Sequence, residues 1–334
     1  MLDPVSGFEY PEAWVRKCRS PGRLTLVKQG LAVLTSSGTV LVRGFTTGTT
    51  AAGVSKAAVL SRSGDVKSVP VRIPCGLVVD VPADAHGGRA SGRKFGGDYP
   101  SDVTAGIEFV AEAVPYSHGV HLVFGEGVGR FSRDTPRYKK GAPAVSPPAL
   151  ECLHSSVREA LDITGLPGVR VTLHIPEGRD IAQQTLNPRV GVEGGISILG
   201  TTGLVEPWDD HLTESVTERV ASAEHPVLTT GRIGLRYARL LFPDRDVILI
   251  GGKIGEALAA SRGKVVLCGL PALILRYISP GILDGTGAAT VEELSVTPGF
   301  AAIAETTLAG FRQLRPDVRV ILVNRNGTVI GESP

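Results

Sequence analysis

The sequence predicts an α/β protein with α+β character in two domains: an N-terminal α+β domain with a mixed or antiparallel sheet over residues 1–190, and a C-terminal Rossmann-like three-layer αβα domain over 191–334. Three observations predict it. The chain has 334 residues, which at about 150 residues per domain gives roughly two cores. The first half consists of short apolar runs broken by glycine turns. From Val169 onward, strand, loop and helix alternate, the grammar of βαβ units on a mainly parallel sheet.

Taken in order, Leu31 to Leu34 and Val40 to Val42 flank Ser36-Ser37-Gly38 as a hairpin, and Val69 to Ile73 and Leu77 to Val81 flank Pro74-Cys75-Gly76 as another. Between them Thr49 to Leu60 is small and alanine-rich, a helix able to pack closely on a sheet despite Gly53. Ile107 to Val114 and Val120 to Phe124 form a further strand pair, and Pro147 to Thr164 is an amphipathic helix ended by Gly165. The alternating half runs Val169 to Ile175 then a helix near Arg179 to Leu186; Ile196 to Leu199 then Asp209 to Ala221; Val247 to Ile250 then Ile254 to Ala260; Val265 to Cys268 then Pro271 to Ile278. Phe300 to Leu314 and Val318 to Val323 add a last helix and strand, before a turn at Asn326-Gly327.

Composition excludes several classes. Hydrophobic residues are 42% and charged residues 20%, ordinary globular usage. Lys plus Arg is 35 against 33 for Asp plus Glu, so no global charge points to nucleic acid or an anionic membrane, and an acidic ligand has to be met locally. The four cysteines lie far apart and the seven histidines are dispersed without an HExxH, so no protein-bound metal is expected. No leader pattern or membrane-length apolar run is present, and the expected location is the cytoplasm; a homo-oligomer is left open.

Four segments carry the chemistry. Gly44-Phe45-Thr46-Thr47-Gly48-Thr49-Thr50 gathers hydroxyls and flexible amides at a helix start, either to meet an anion or simply to cap the helix. Pro188 to Pro207 encloses a short apolar strand between glycine turns; its second turn, Gly200-Thr201-Thr202-Gly203, leads to Glu206 and has either a cofactor-binding or a packing role. Gly251-Gly252-Lys253-Ile254-Gly255 repeats that geometry after Val247 to Ile250, so that two glycine loops could hold one extended cofactor. Neither has the GxGxxG spacing of a nicotinamide site, which makes an oxidoreductase a distant reading. Asp98, Asp102 and Glu126 lie on turns near strand ends, where a carboxylate serves as a base or as turn chemistry, and Arg130, Arg133, Arg137, Lys139 and Lys140 form a basic stretch able to clamp a polyanion or to stand in solvent.

Together GFTTGTTAAGVSKAA from Gly44, GGDYPSDVTAGIEFVAEA from Gly96, GEGVGR from Gly125 and NPRVGVEGGISILGTTGLVEP from Asn187 resemble the CbiD family of cobalt-precorrin-5B C1-methyltransferases, in family order across about half the chain. The resemblance implies methyl transfer from S-adenosylmethionine to C1 of a cobalt-containing tetrapyrrole in anaerobic cobalamin biosynthesis, giving cobalt-precorrin-6A, with cobalt carried by the substrate. On that reading Gly200, Thr201, Thr202, Gly203, Gly251, Gly252 and Gly255 hold the donor. Thr46, Thr47, Thr49 and Arg189 bind the tetrapyrrole, and Asp102 or Glu206 is the base. The C-terminal turns depart from the family pattern, which leaves a non-catalytic tetrapyrrole- or corrinoid-binding member as the alternative.

Overall fold

The computed structural model describes residues 1–100, 102–134, 138–207 and 216–334, with the side chain of Arg189 also outside the described set. The chain is a mixed α/β protein of two compact units, Val42–Asp210 and a discontinuous unit of Met1–Leu41 with His211–Pro334. The single boundary expected near residue 190 is therefore corrected to two crossings. The reason is non-local packing: the Phe8 ring lies 5.4 Å from Tyr237, and a Cβ on Gly327 would come within 2.4 Å of Tyr237 and 2.6 Å of Phe8. Ser36 adds an N–H bond to the Leu240 carbonyl at 3.1 Å and a hydroxyl bond to the Leu241 carbonyl at 2.8 Å. Such contacts leave no trace in local periodicity.

The central element of the Val42–Asp210 unit is helix α1, Thr47–Leu60, buried along its length from Thr47 to Val59. Only small side chains allow that, because a Cβ on Gly53 would sit 2.4 Å from Val81 Cγ1. Its one charged residue, Lys56, donates to the Pro70 carbonyl and to Glu159 Oε2, each at 2.7 Å. Strands β1 (Val66–Arg72), β2 (Val78–His86), β3 (Arg89–Arg93), β4 (Glu108–Pro115), β5 (Gly119–Phe124) and β6 (Gly168–His174) form a mixed sheet in the order β1-β2-β3-β4-β6-β5. Along β2, buried and exposed residues alternate strictly, the period-2 signature of a sheet with one covered face.

One expected pairing is corrected here. β4 and β5 are not neighbours, because β6 lies between them, antiparallel to β4 and parallel to β5. The loop between β4 and β5 instead wraps the start of β6: Tyr116 N–H bonds the Gly168 carbonyl at 2.9 Å, and a Cβ on Gly168 would meet the His118 backbone at 2.4 Å. Between β5 and β6 the chain runs through helix α2, Pro147–Thr164, which ends at Gly165 with φ 69° as its sequence requires. β5-α2-β6 is thus a βαβ unit, since a parallel pair needs a helical crossover, and it makes the sheet mixed, one of the two forms expected for this half.

The second unit carries a five-stranded sheet of β7 (Val227–Thr229), β8 (Val247–Leu249), β9 (Val265–Gly269), β10 (Val318–Val323) and β11 (Val329–Glu332) in the order β8-β7-β9-β10-β11. All neighbours are parallel except the antiparallel edge β11. Helices α3 (Val216–Ser222), α4 (Arg232–Leu241), α5 (Ile254–Ala260), α6 (Pro271–Ile278) and α7 (Phe300–Leu314) connect or flank these strands. Ile196 to Leu199, expected to open the C-terminal domain, lies in the other unit, and the first strand of this sheet is the three-residue β7. Of the helix expected over 209–221, the part from Val216 is present and 209–215 lies outside the described residues. Leu228, Ile248, Leu267, Val320 and Leu322 form the sheet's buried core with Leu275, Phe300 and Leu308 from the helices.

No described helix is long and apolar enough to cross a membrane. The four cysteines are free thiols. Burial pushes the Cys152 thiol up to about 11 and the Cys268 thiol up to about 12, so both stay protonated and inert at neutral pH. Native protein titrated with Ellman's reagent at pH ~8 is expected to react through the partly exposed Cys18 and Cys75 only, with Cys152 and Cys268 joining on unfolding.

Candidate functional site

The helix entrance at Gly44 to Thr50 and the glycine turn at Gly200 to Gly203 form one junction. Thr46 is the N-cap of α1, its Oγ1 accepting from Thr49 N–H at 3.2 Å. The Thr49 hydroxyl donates to the Gly203 carbonyl at 2.7 Å, and Thr46 N–H bonds the same carbonyl at 3.1 Å. One residue on, Thr47 Oγ1 accepts from Leu199 N–H at 2.8 Å and donates to the Ser197 carbonyl at 3.1 Å, while Gly48 N–H bonds the Leu199 carbonyl at 2.9 Å. Two donors that a helix N-terminus leaves open are thus met, Gly48 N–H by the loop and Thr49 N–H by the Thr46 side chain. Thr47 and Thr49 are buried beneath it.

The glycines follow from this contact. A Cβ on Gly200 would lie 2.5 Å from Thr46 Oγ1; at Gly203, φ is +88° and a Cβ would lie 2.5 Å from Ile73 Cβ. Thr202 hydrogen-bonds within its own turn, donating to the Leu204 carbonyl at 3.1 Å, and its carbonyl accepts from Cys75 N–H at 3.0 Å; Thr201 is exposed. The capping and packing alternatives thus describe Thr46, Thr47, Thr49, Gly200 and Gly203 in this structure. Asn187 ties the preceding turn to the same loop, accepting from Ser197 Oγ at 2.9 Å and donating to the Gly195 carbonyl at 3.3 Å. Arg189 lies in the turn Pro188–Val190, and its side chain is outside the described residues.

Both carboxylates expected as bases are held in ion pairs. Asp102 bonds Lys94 Nζ through Oδ2, and its Oδ1 accepts from Thr104 N–H at 3.0 Å and Thr104 Oγ1 at 2.6 Å. Only 8% of the Asp102 side chain and 2% of the Lys94 side chain are exposed. Burial pulls the Lys94 ammonium below its ordinary pKa, and the Asp102 carboxylate opposes that shift. Glu206 Oε2 accepts from Nε of the fully buried Arg43 at 3.1 Å. Between these pairs Gly44–Phe45 forms a short antiparallel pairing with Leu204–Val205, and the Phe45 ring stands 5.5 Å from Phe95.

A different part of this unit is open. At the carboxyl ends of the parallel pair β5 and β6, a groove of about 490 Å³ is lined by Phe124, Gly125, Glu126, Arg130, Arg179 and Glu193. Its floor is backbone packed on backbone: at Gly127, φ is +74° and a Cβ would lie 1.8 Å from the Ile175 carbonyl oxygen. Arg130 is braced by bonds to the Phe124 carbonyl at 2.7 Å and the Gly141 carbonyl at 2.9 Å. The rest of the basic stretch does not join it in a clamp among the described residues: Lys139 stands 3.9 Å from Asp134, and Arg137 lies outside them. Sequence reasoning missed Arg179 and Glu193 because only the β5-β6 topology brings them to Gly125–Arg130.

Gly251, Gly252 and Gly255 follow β8 in the other unit. A Cβ on Gly251 or Gly252 would meet nothing within 4 Å, and one on Gly255 would reach Tyr277 at an ordinary 3.6 Å. They form an exposed turn at a strand's carboxyl end. The two glycine loops expected to share one ligand lie in different units.

The glycine-rich seal on a buried helix, the βαβ groove and the parallel sheet of the other unit define a two-unit α/β protein. The CbiD family model matches residues 34–207. The chain is 64% identical to a protein of Methanoregula boonei and 57% identical to one of Methanoculleus marisnigri, each over the whole of both chains and each named cobalt-precorrin-5B C(1)-methyltransferase. A crystal structure of the cobalamin biosynthesis protein CbiD from Archaeoglobus fulgidus is 37% identical, covers 83% of this chain and 92% of its own, and has a TM-score of 0.57. The chain belongs to the CbiD family.

The Lys94–Asp102 pair generates a test. Asp102→Ala leaves a buried ammonium without its counter-charge and is expected to destabilise the fold by about 3–5 kcal/mol in urea unfolding. A base with no structural role would lower turnover and leave the unfolding midpoint in place.

Proposed function

We propose that this chain is a cobalt-precorrin-5B C1-methyltransferase, transferring the methyl group of S-adenosylmethionine to C1 of the tetrapyrrole. The observation that carries the reading is full-length similarity, 64% over the whole of both chains, to a relative bearing that name. In the step, a bond forms between the ring carbon and the methyl carbon as the sulfur–methyl bond breaks, its electron pair remaining on sulfur. Such a displacement asks mainly for alignment and exclusion of bulk water. That suits a chain whose candidate bases, Asp102 and Glu206, are engaged with Lys94 and Arg43: they hold the 94–104 and 43–46 segments in place.

The tetrapyrrole brings carboxylates and a broad flat body with cobalt as cargo. We assign it to the groove at the ends of β5 and β6, where Gly125, Gly127 and Gly194 leave part of the wall as bare backbone and Arg130 and Arg179, set among Glu126 and Glu193, meet carboxylates with planar forks. Thr46, Thr47 and Thr49 support this unit from beneath by fixing loop 197–203. We read the parallel sheet of the other unit as the Rossmann-like part that takes the donor, with the exposed turn Gly251–Gly255 at its rim.

Incubating the protein with cobalt-precorrin-5B and methyl-labelled S-adenosylmethionine is expected to add one methyl group to the tetrapyrrole. Tetrapyrrole binding without label transfer would support the carrier alternative instead. Because Arg179 is exposed, Arg179→Ala is expected to raise the KM for the tetrapyrrole roughly tenfold, the loss of a charge-assisted hydrogen bond, with the unfolding midpoint unchanged.

A further inference from the structure

The strand order β8-β7-β9-β10-β11 reverses direction at β7, so the crevice between the carboxyl ends of β7 and β9 is the topological switch point of the sheet. Helix α4 starts there, ten residues long, with Gly231 at its N-cap and no side-chain cap. Beside its first turn lies Thr229, fully buried, whose Oγ1 has no hydrogen-bond partner. That hydroxyl sits between two glycines: it would be 2.4 Å from a Cβ on Gly234 and 3.6 Å from one on Gly269. Thr230 Oγ1 approaches the same point, 3.2 Å from a Cβ on Gly269. An unpaired buried hydroxyl, a second hydroxyl and an uncapped helix start are arranged where a carboxylate can be bound.

One strand further along, at the carboxyl ends of β9 and β10, is a cavity of about 230 Å³. Leu270, Pro271, Ala272, Val296 and Ile330 give it apolar walls, and Asn324 gives it a carboxamide. Asn324 Oδ1 accepts from Asn326 N–H at 2.9 Å and Thr328 N–H at 3.0 Å, which leaves Nδ2 to donate to a ligand. A two-point ion pair closes the rim, with Arg325 Nε and Nη2 2.7 and 3.1 Å from Glu292. Apolar walls with one fixed amide suit a flat heteroaromatic base. Adjacent strand ends are about 4.8 Å apart, so β7, from which α4 starts, and β10, which leads to Asn324, are separated by about 10 Å, the reach of a nucleoside joined to an amino acid.

The geometry points to a preformed S-adenosylmethionine site across the ends of β7, β9 and β10, with the adenine in the Leu270–Asn324 cavity and the amino-acid carboxylate at Thr230 and the start of α4. This rests on the methyltransferase reading and places the donor at residues other than Gly200–Gly203 and Gly251–Gly255. The test is calorimetric titration of the full chain with S-adenosylhomocysteine and, separately, with adenosine. Ala272→Trp fills the cavity and is expected to weaken both ligands at least tenfold. Thr230→Val is expected to weaken S-adenosylhomocysteine roughly fivefold, the loss of one neutral hydrogen bond, and to leave adenosine unchanged. Val296→Arg, at a side chain 84% exposed and so without consequence for folding, crowds the same mouth and is expected to weaken both.

Unchanged affinity in all three variants would overturn the site and leave methyl transfer standing. Weaker tetrapyrrole binding in Thr230→Val with S-adenosylhomocysteine unaffected would overturn the carboxylate assignment, because the anion would then be the substrate's. No binding by the wild-type chain would also overturn a preformed site; turnover with S-adenosylmethionine then tells whether the methyltransferase reading falls with it.

Discussion

The fold of the Val42–Asp210 unit depends on how the start of α1 is satisfied. A helix buried from its first residue cannot take water for its first N–H groups, and an anion there would need its own access path. The chain closes the end itself: the Leu199 and Gly203 carbonyls accept from Gly48 and Thr46 N–H, the Thr46 hydroxyl accepts from Thr49 N–H, and the Thr47 and Thr49 hydroxyls hold the loop that supplies those carbonyls. Everything around the junction follows from that closure. Gly200 and Gly203 are required for the loop to lie against the helix, and the small residues of α1 allow β2 to press on it at Gly53. The ion pairs Arg43–Glu206 and Lys94–Asp102 hold the strands that flank the entrance.

Much of this architecture was legible in the sequence, and its failures have physical causes. The α2 helix and its Gly165 stop, the hairpins, and β9, β10 and their helices were found because periodicity and punctuation are local. β7 was missed because three residues are too short to show a period, although the sheet is built around it. The β4–β6 pairing and the return of residues 1–41 to the C-terminal unit are long-range choices, made by packing at Gly168 and at Phe8 with Tyr237.

At the candidate site, the residues singled out by type are brought together by the fold. The sequence singled out Thr46, Thr47, Thr49, Gly200 and Gly203, and the structure joins them, with one another as their partners. For Asp102 and Glu206, a carboxylate on a turn near a strand end carries no mark in the sequence of the cation it faces; the fold pairs Asp102 with Lys94 and Glu206 with Arg43. The same limit hid Thr229 and Asn324, whose neighbours come from other strand ends. An open groove beside a parallel pair and a crevice at a switch point are properties of topology, and residues enter them by register.

On the proposed assignments, a self-sealed helix entrance beside the groove given to the tetrapyrrole is distinct from a donor site at the ends of a parallel sheet. Hydrogen–deuterium exchange of the full chain with and without S-adenosylhomocysteine tests that separation most directly. The account predicts slower exchange at 229–235, 269–272 and 324–330, and unchanged exchange at 44–50 and 197–203. Protection confined to 44–50 and 197–203 would contradict it, by showing that the donor occupies the junction that this structure closes with its own carbonyls.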